Sequence, residues 1–209
     1  MTDHPKGARR MVTEEEKAVL RKNLEKYEGK VSHMYLDSKG FVTVGVGHLL
    51  STVASAQLLA FKNSKNLAAT KEEIKTDYDN VKKQPANRLA SMYKKHTKLR
   101  LPDAEIDKLT NKHIQSFESE LKRIYSDFDS FPSKARLALF DLIFNLGMTE
   151  LNNNWPNFNA AVKAKDWQKA ADSSNRKSPI SDARNKYVKD LLEACVDNSK
   201  KTAAAGNSK

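Results

Sequence analysis

Only one cysteine, Cys195, occurs in the 209 residues, so no internal disulfide can form and no Cys-x-x-Cys pair exists for metal or redox chemistry. Cys195 falls in a helical pattern with Val188, Leu191 and Leu192, and nothing local supplies the base that a catalytic thiol needs. It reads as a small buried hydrophobe. No apolar run approaches the roughly 18 residues that would suggest a membrane span. Residues 1–10 carry charges without an apolar core segment, so no secretory leader is expected there. There is no internal repeat. Acids are in deficit, with 26 Asp and Glu against 37 Lys and Arg, a formal net charge of +11. That excess predicts attraction to a polyanion, and nucleic acid, an anionic membrane and an anionic bacterial envelope all qualify.

The hydrophobic fraction, 39%, is modest but enough for a core, and the length suits one domain with two lobes or two small domains. Candidate chemistry concentrates in residues 28–50. Thr13 and Glu16 fit a capping box, and Leu20, Leu24 and Tyr27 fall at helical spacing, predicting a helix over 13–28 that Gly29 ends. Glu28 lies four residues after Leu24 and shares its face. Burial there would raise its pKa, as a general acid at neutral pH requires. The period then changes. Asp37-Ser38-Lys39-Gly40 is turn chemistry and 41–46 is β-branched and aromatic, so a short antiparallel hairpin is expected. Alternation puts Phe41, Thr43 and Gly45 on one face and Val42, Val44 and Val46 on the other, so Thr43 points away from the packing valines. An acid on a helix end, an acid in a turn and a hydroxyl on a strand are thus delivered within one stretch. Singly, each has a plain reading: Asp37 forms a turn, Thr43 favours a strand, and Gly45 and Gly47 allow close backbone approach. As a phosphate loop the segment fails, because His48-Leu49-Leu50 supplies neither a third glycine nor a helix start.

Residues 51–100 are more polar. A helix is expected over 55–61, and a second capping box, Thr70 with Glu73, starts one that runs through Val81 and ends before Gln84-Pro85. Tyr93 stands among five basic side chains up to Arg100; nucleic-acid binding would call for several aromatics on a platform, so this reads as a solvated basic surface. A long helix follows, with Ile106, Leu109, His113, Ile114, Phe117, Leu121 and Ile124 at helical spacing. His113 reads as a structural histidine, since no matching ligand spacing accompanies it. Residues 135–147 are apolar nearly all round, opened by Pro132 and closed by Gly147, which predicts a buried central helix. Its polar members Asp141 and Asn145 must find partners or face a cleft. Ser181-Asp182 can cap a last helix through Val196. Residues 1–12 read as a linker and 198–209 as a disordered basic tail.

The run Glu28-Gly29, Tyr35-x-Asp37-x-x-Gly40-x-x-Thr43-x-Gly45-x-Gly47-His48-Leu49 resembles the catalytic segment of the phage T4-type lysozyme family. Phe144-Asn145-Leu146-Gly147 is similar to the end of that family's central helix, and Asp166-Trp167-Gln168-Lys169-Ala170-Ala171 to its Trp-containing helix start. The similarity reaches from about Thr13 to Val196. It implies a mostly helical α+β fold in two lobes: an N-lobe over about 13–101 with a small antiparallel sheet, a bridging helix over about 102–125, and a helical C-lobe over about 126–197. It implies a muramidase that hydrolyses the β-1,4 bond between N-acetylmuramic acid and N-acetylglucosamine in peptidoglycan glycan strands, as a monomer without cofactor or metal. Glu28 would be the general acid, and Asp37 with Thr43 would hold and activate water. Gly47, His48, Leu49, Phe144 and Asn145 would contact substrate. Inversion is implied, which asks for carboxylates roughly 6.5–9.5 Å apart.

Three departures accompany the resemblance. Residues 51–100 are longer than in the short phage enzymes. His113 stands where those enzymes have an acid that pairs with the equivalent of His48. The family's C-lobe arginine near the catalytic acid has Arg184 and Arg176 as candidates. Two other functions compete: a wall-binding module that has lost the chemistry, against which the intact Glu28, Asp37 and Thr43 stand, and a nucleic-acid-binding protein, favoured only by charge. Nucleic acid and membrane insertion are not expected. The expected site of action is the bacterial periplasm or cell wall, reached through a phage-made membrane hole or a secretion system. In an effector, an immunity protein would plug the cleft.

Overall fold

The computed structural model describes residues 12–206, with side chains through Val196. Residues 1–11, most of the expected linker, and 207–209 lie outside the described residues. Helix α1 (Glu14–Glu28) leads into strands β1 (Val31–Leu36), β2 (Val42–Gly45) and β3 (His48–Leu49). Helices α2 (Val53–Ala56) and α3 (Lys71–Lys82), a 3-10 helix (Ala90–His96) and α4 (Asp103–Ile124) follow. After a 3-10 turn come α5 (Ser133–Leu146), α6 (Met148–Asn154), α7 (Pro156–Lys163), α8 (Trp167–Asp172) and α9 (Asp182–Gly206). The protein is thus a mostly helical α+β chain with one small antiparallel sheet, ordered β1-β2-β3. It divides into two compact units, Arg21–His113 and Met1–Leu20 together with Ile114–Lys209. Residues 13–20, assigned from sequence to an N-lobe, cluster with the later part of the chain.

In the Arg21–His113 unit the hairpin forms as its turn chemistry predicts. The Gly40 amide donates to the Asp37 carbonyl at 3.0 Å, and the Asp37 amide to the Phe41 carbonyl at 2.9 Å. Tyr35 pairs with Thr43 and Leu36 with Val42, with an irregularity between Val31 and Tyr35. Strand β2 differs from the expected one-sided packing, being buried on both faces. Gly45 explains why. Its φ of +69° suits glycine, and a Cβ there would stand 3.2 Å from Ile106 Cγ2, so α4 lies directly over the Thr43–Gly45 face.

The 51–100 segment departs further from expectation. Instead of a helix over 55–61, a single turn forms at Val53–Ala56, where Thr52 and Ser55 make a reciprocal capping box. Beyond it, Lys62 exchanges backbone hydrogen bonds with Arg100 at 2.8 Å, an extended pairing that helix would forbid. The Thr70–Glu73 capping box forms as read, and α3 ends at Lys82. One buried carboxylate, Asp77, fastens α3 to the extended segment that follows the 3-10 helix. Its Oδ2 accepts the amides of Lys98 and Leu99, each at 2.8 Å, and burial pushes its carboxyl up in spite of them.

In the other unit α5 is buried along most of its length and packs against α6 and α9. Val12, Leu20 and Ile114 share its core with Phe128, Phe131, Trp167 and Leu192. The Thr13–Glu16 capping box is present. Glu16 also accepts from Ser133 at 2.6 Å and pairs with the buried Arg136. Burial pushes Glu16 up, yet Ser133, the Thr13 amide and the Arg136 charge together hold its carboxyl below the usual range. Cys195 is buried, its Sγ 3.3 Å from the Leu191 carbonyl, and burial raises its thiol. It is packing, as the sequence indicates. Ser181 Oγ accepts the Arg184 amide at the start of α9, which continues past Val196, the end expected from sequence, to Gly206.

Candidate active site

Glu28 closes α1, and Gly29, with φ +79°, turns the chain into β1. Contrary to the burial expected from spacing, Glu28 is exposed. The packed stripe of α1 stops one turn earlier, at Leu24, which is 4% exposed. Asp37 sits half-buried at the hairpin turn. Its Oδ1 accepts the amides of Lys39 at 2.9 Å and Phe41 at 2.8 Å, which fixes the carboxylate and leaves Oδ2 outside those bonds. Thr43 is buried on β2 and donates its hydroxyl to the Phe41 carbonyl at 3.1 Å. With its proton so directed, the oxygen's lone pairs are available to accept from a water.

Tyr35 belongs to the same hairpin. It lies directly across from Thr43 in the sheet, so the two side chains share a face. Burial, then the negative charges of Glu28 and Asp37, push its phenol up to about 12, against a hydrogen bond from the Gly47 backbone that lowers it. The phenol therefore stays protonated, a donor among acids. Sequence reading placed Tyr35 in the motif without giving it a role. The register that sets it opposite Thr43 was the missing signal, since it depends on the irregularity in β1.

Gly47 is exposed with φ +71°, and Leu49 beside it is 48% exposed. His48 turns inward, with Nδ1 3.0 Å from His113 Nε2 and the ring centroids 5.2 Å apart. His113 stands where the short phage enzymes have an acid, and an imidazole pair occupies the place. Burial lowers both pKa values, and for His48 the charges of His113 and Lys112 add to it. Among the described residues no three His, Cys, Asp or Glu side chains gather as metal ligands.

Phe144 and Asn145 belong to the other unit, at the end of α5. Phe144 is half-buried and meets Phe117 edge-on at 5.6 Å. Asn145 lines a cavity of about 570 Å³ with Leu146, Glu150, Trp155, Arg176 and Ile180. Beneath it Asp141 binds both candidate arginines. Arg176 Nη1 donates to Oδ1 at 2.7 Å, and Arg184 Nε reaches Oδ2 at 3.1 Å. Asn185 in turn accepts from the Arg176 Nε at 3.1 Å. Asp141 thus finds its partners, and Asn145, one turn on, faces a cavity. These are the two outcomes that burial of polar groups allows.

A family model described as phage lysozyme matches residues 25–179. The match takes in every candidate side chain named above except Arg184, and begins and ends inside the reach read from the sequence. No curated protein matches the chain.

Proposed function

The chain belongs to the phage lysozyme family, a family of peptidoglycan-hydrolysing enzymes, and from that premise we propose that it is a muramidase whose chemistry is carried by Glu28, Asp37 and Thr43. The observation that carries the reading is the hairpin itself, which sets Tyr35 opposite Thr43 and fixes Asp37 Oδ1 on the Lys39 and Phe41 amides. In this reading Glu28, exposed in the free chain, is covered by bound glycan and then protonates the glycosidic oxygen of the leaving sugar. Asp37, its Oδ1 held by two amides, takes a proton through Oδ2 from a water that Thr43 positions by accepting its other hydrogen. Two carboxylates in unlike settings then divide the acid and base roles. Attack by that water on the face opposite the leaving group inverts the anomeric centre. Proton NMR of the first product formed distinguishes inversion from retention.

Glu28→Gln keeps the shape of the side chain and removes its acidity. Glu28 is exposed, and an unchanged melting temperature should show that the substitution keeps the fold. Release of reducing ends from purified peptidoglycan should fall by about 100-fold or more. Parental activity in that variant would sink the assignment of the acid. Muropeptide mass analysis of the digest separates muramidase from transglycosylase, because hydrolysis adds a water that the anhydro product lacks. The reading places the protein's action at the bacterial wall. Expression behind an export leader should lyse the host.

A further inference from the structure

Between Asp79 and Asp103 the chain has seven Lys and Arg residues and no acid. Lys82, Lys83, Arg88, Lys94, Lys95 and Lys98 are exposed, and among the described residues none of the six enters an ion pair. The 3-10 helix Ala90–His96 sorts part of this segment into stripes, because positions three apart eclipse in that helix. Ala90, Tyr93 and His96 make the inner stripe. Tyr93 is 1% exposed and donates to the Pro85 carbonyl at 2.7 Å, and His33 Nε2 lies 2.8 Å from the Ala90 carbonyl. Ser91 and Lys94 form a second, exposed stripe, and Arg88 is exposed just before the helix. Leu89, Met92 and Lys95 form the third. The Met92 amide donates to the Leu89 carbonyl at 2.9 Å, which sets these two side chains one turn apart. Both stand in solvent, Leu89 at 77% and Met92 at 46% exposure.

We propose that this face docks the protein on an anionic lipid bilayer. A hydrated phosphate polymer would neutralise Arg88, Lys94 and Lys95 but gain nothing from Leu89 and Met92. Single-stranded nucleic acid would ask for aromatic faces on which bases stack, and the one aromatic of the segment, Tyr93, is turned inward. A bilayer interface takes both components. Acidic headgroups meet the lysines and Arg88, and the two apolar side chains reach below the headgroups while the long cationic side chains stretch back to them. No described helix is long and apolar enough to cross a membrane, and this contact needs none, since it lies on the surface. Lys82 extends the face to the catalytic hairpin: its Nζ donates to the Gly40 carbonyl at 2.9 Å and stands 5.8 Å above the exposed Phe41 ring. The inference rests on exposure and charge and is independent of the glycosidase reading.

The test is co-sedimentation of the full chain with vesicles of phosphatidylcholine carrying phosphatidylglycerol as the anionic component, beside vesicles of phosphatidylcholine alone. Binding is expected to the first and not the second. Leu89→Ser with Met92→Ser should weaken vesicle binding about tenfold or more, with retention on a heparin column and melting temperature unchanged. Lys94→Glu with Lys95→Glu should weaken both vesicle and heparin binding. Vesicle binding that is indifferent to Leu89 and Met92 would overturn the proposal. So would a chain that ignores anionic vesicles yet binds poly(glycerol phosphate) or DNA, since that is the behaviour of a plain polyanion site.

Discussion

The imidazole pair of His48 and His113 sets how the sheet end responds to acid. Both rings are held below the ordinary histidine value, foremost by burial. The folded chain therefore resists protons that the unfolded chain accepts. Stability contributed by the neutral pair is present above about pH 6.5 and is lost as pH falls through the lowered folded values. His113→Asp would give His48 an acid partner and raise its pKa, so the contribution would instead be present below about pH 6.5 and lost as pH rises. Melting temperatures of parent and variant from about pH 8 to 5 should diverge in the acid range, the variant gaining relative to the parent. Parallel curves would show that the pair does not titrate as described. At this scale the sequence was informative about identity and less so about setting. Residue type and spacing singled out Glu28, Asp37 and Thr43 as candidates. The exposure of Glu28 and the place of Tyr35 were not legible there, because the first depends on where the packed stripe ends and the second on strand register.

Among the elements, those with local signals formed as read. Thr13, Thr70 and Ser181 each carry a side-chain oxygen that caps the following helix, and Gly147 ends α5. The failure at 55–61 has the opposite cause. Its apolar residues suit a helix, but its last residue, Phe61, accepts the Ala69 amide and the next, Lys62, pairs with Arg100, 38 positions later, so the chain leaves helix by that point. No local pattern carries that information. Asp77 is the other long-range device of this region, joining α3 to Lys98 and Leu99. Asp77→Ala would strand two amides, one of them buried, at a loss of about 2 kcal/mol, read as a lower urea midpoint. An unchanged midpoint would mean that water replaces the carboxylate without loss.

Across the whole molecule charge is unevenly divided. Arg21–His113 holds 18 Lys and Arg against 10 Asp and Glu, net +8, and the remaining residues hold 19 against 16, net +3. Interactions between exposed charges are screened over about 10 Å at 0.1 M salt. Raising salt should therefore increase the apparent KM on intact anionic sacculi severalfold, while leaving cleavage of short neutral glycan fragments nearly unchanged. Equal salt sensitivity on both substrates would place the effect in the chemistry rather than in capture. The division of the chain has a temporal side as well. The unit that carries Glu28, Asp37 and Thr43 is one unbroken stretch, whereas the core around Val12 and Leu20 draws on Trp167 and Leu192. Domains emerge from synthesis in order. The hairpin that carries Asp37 and Thr43 can thus assemble on the ribosome while Val12 and Leu20, already made, still await residues translated far later.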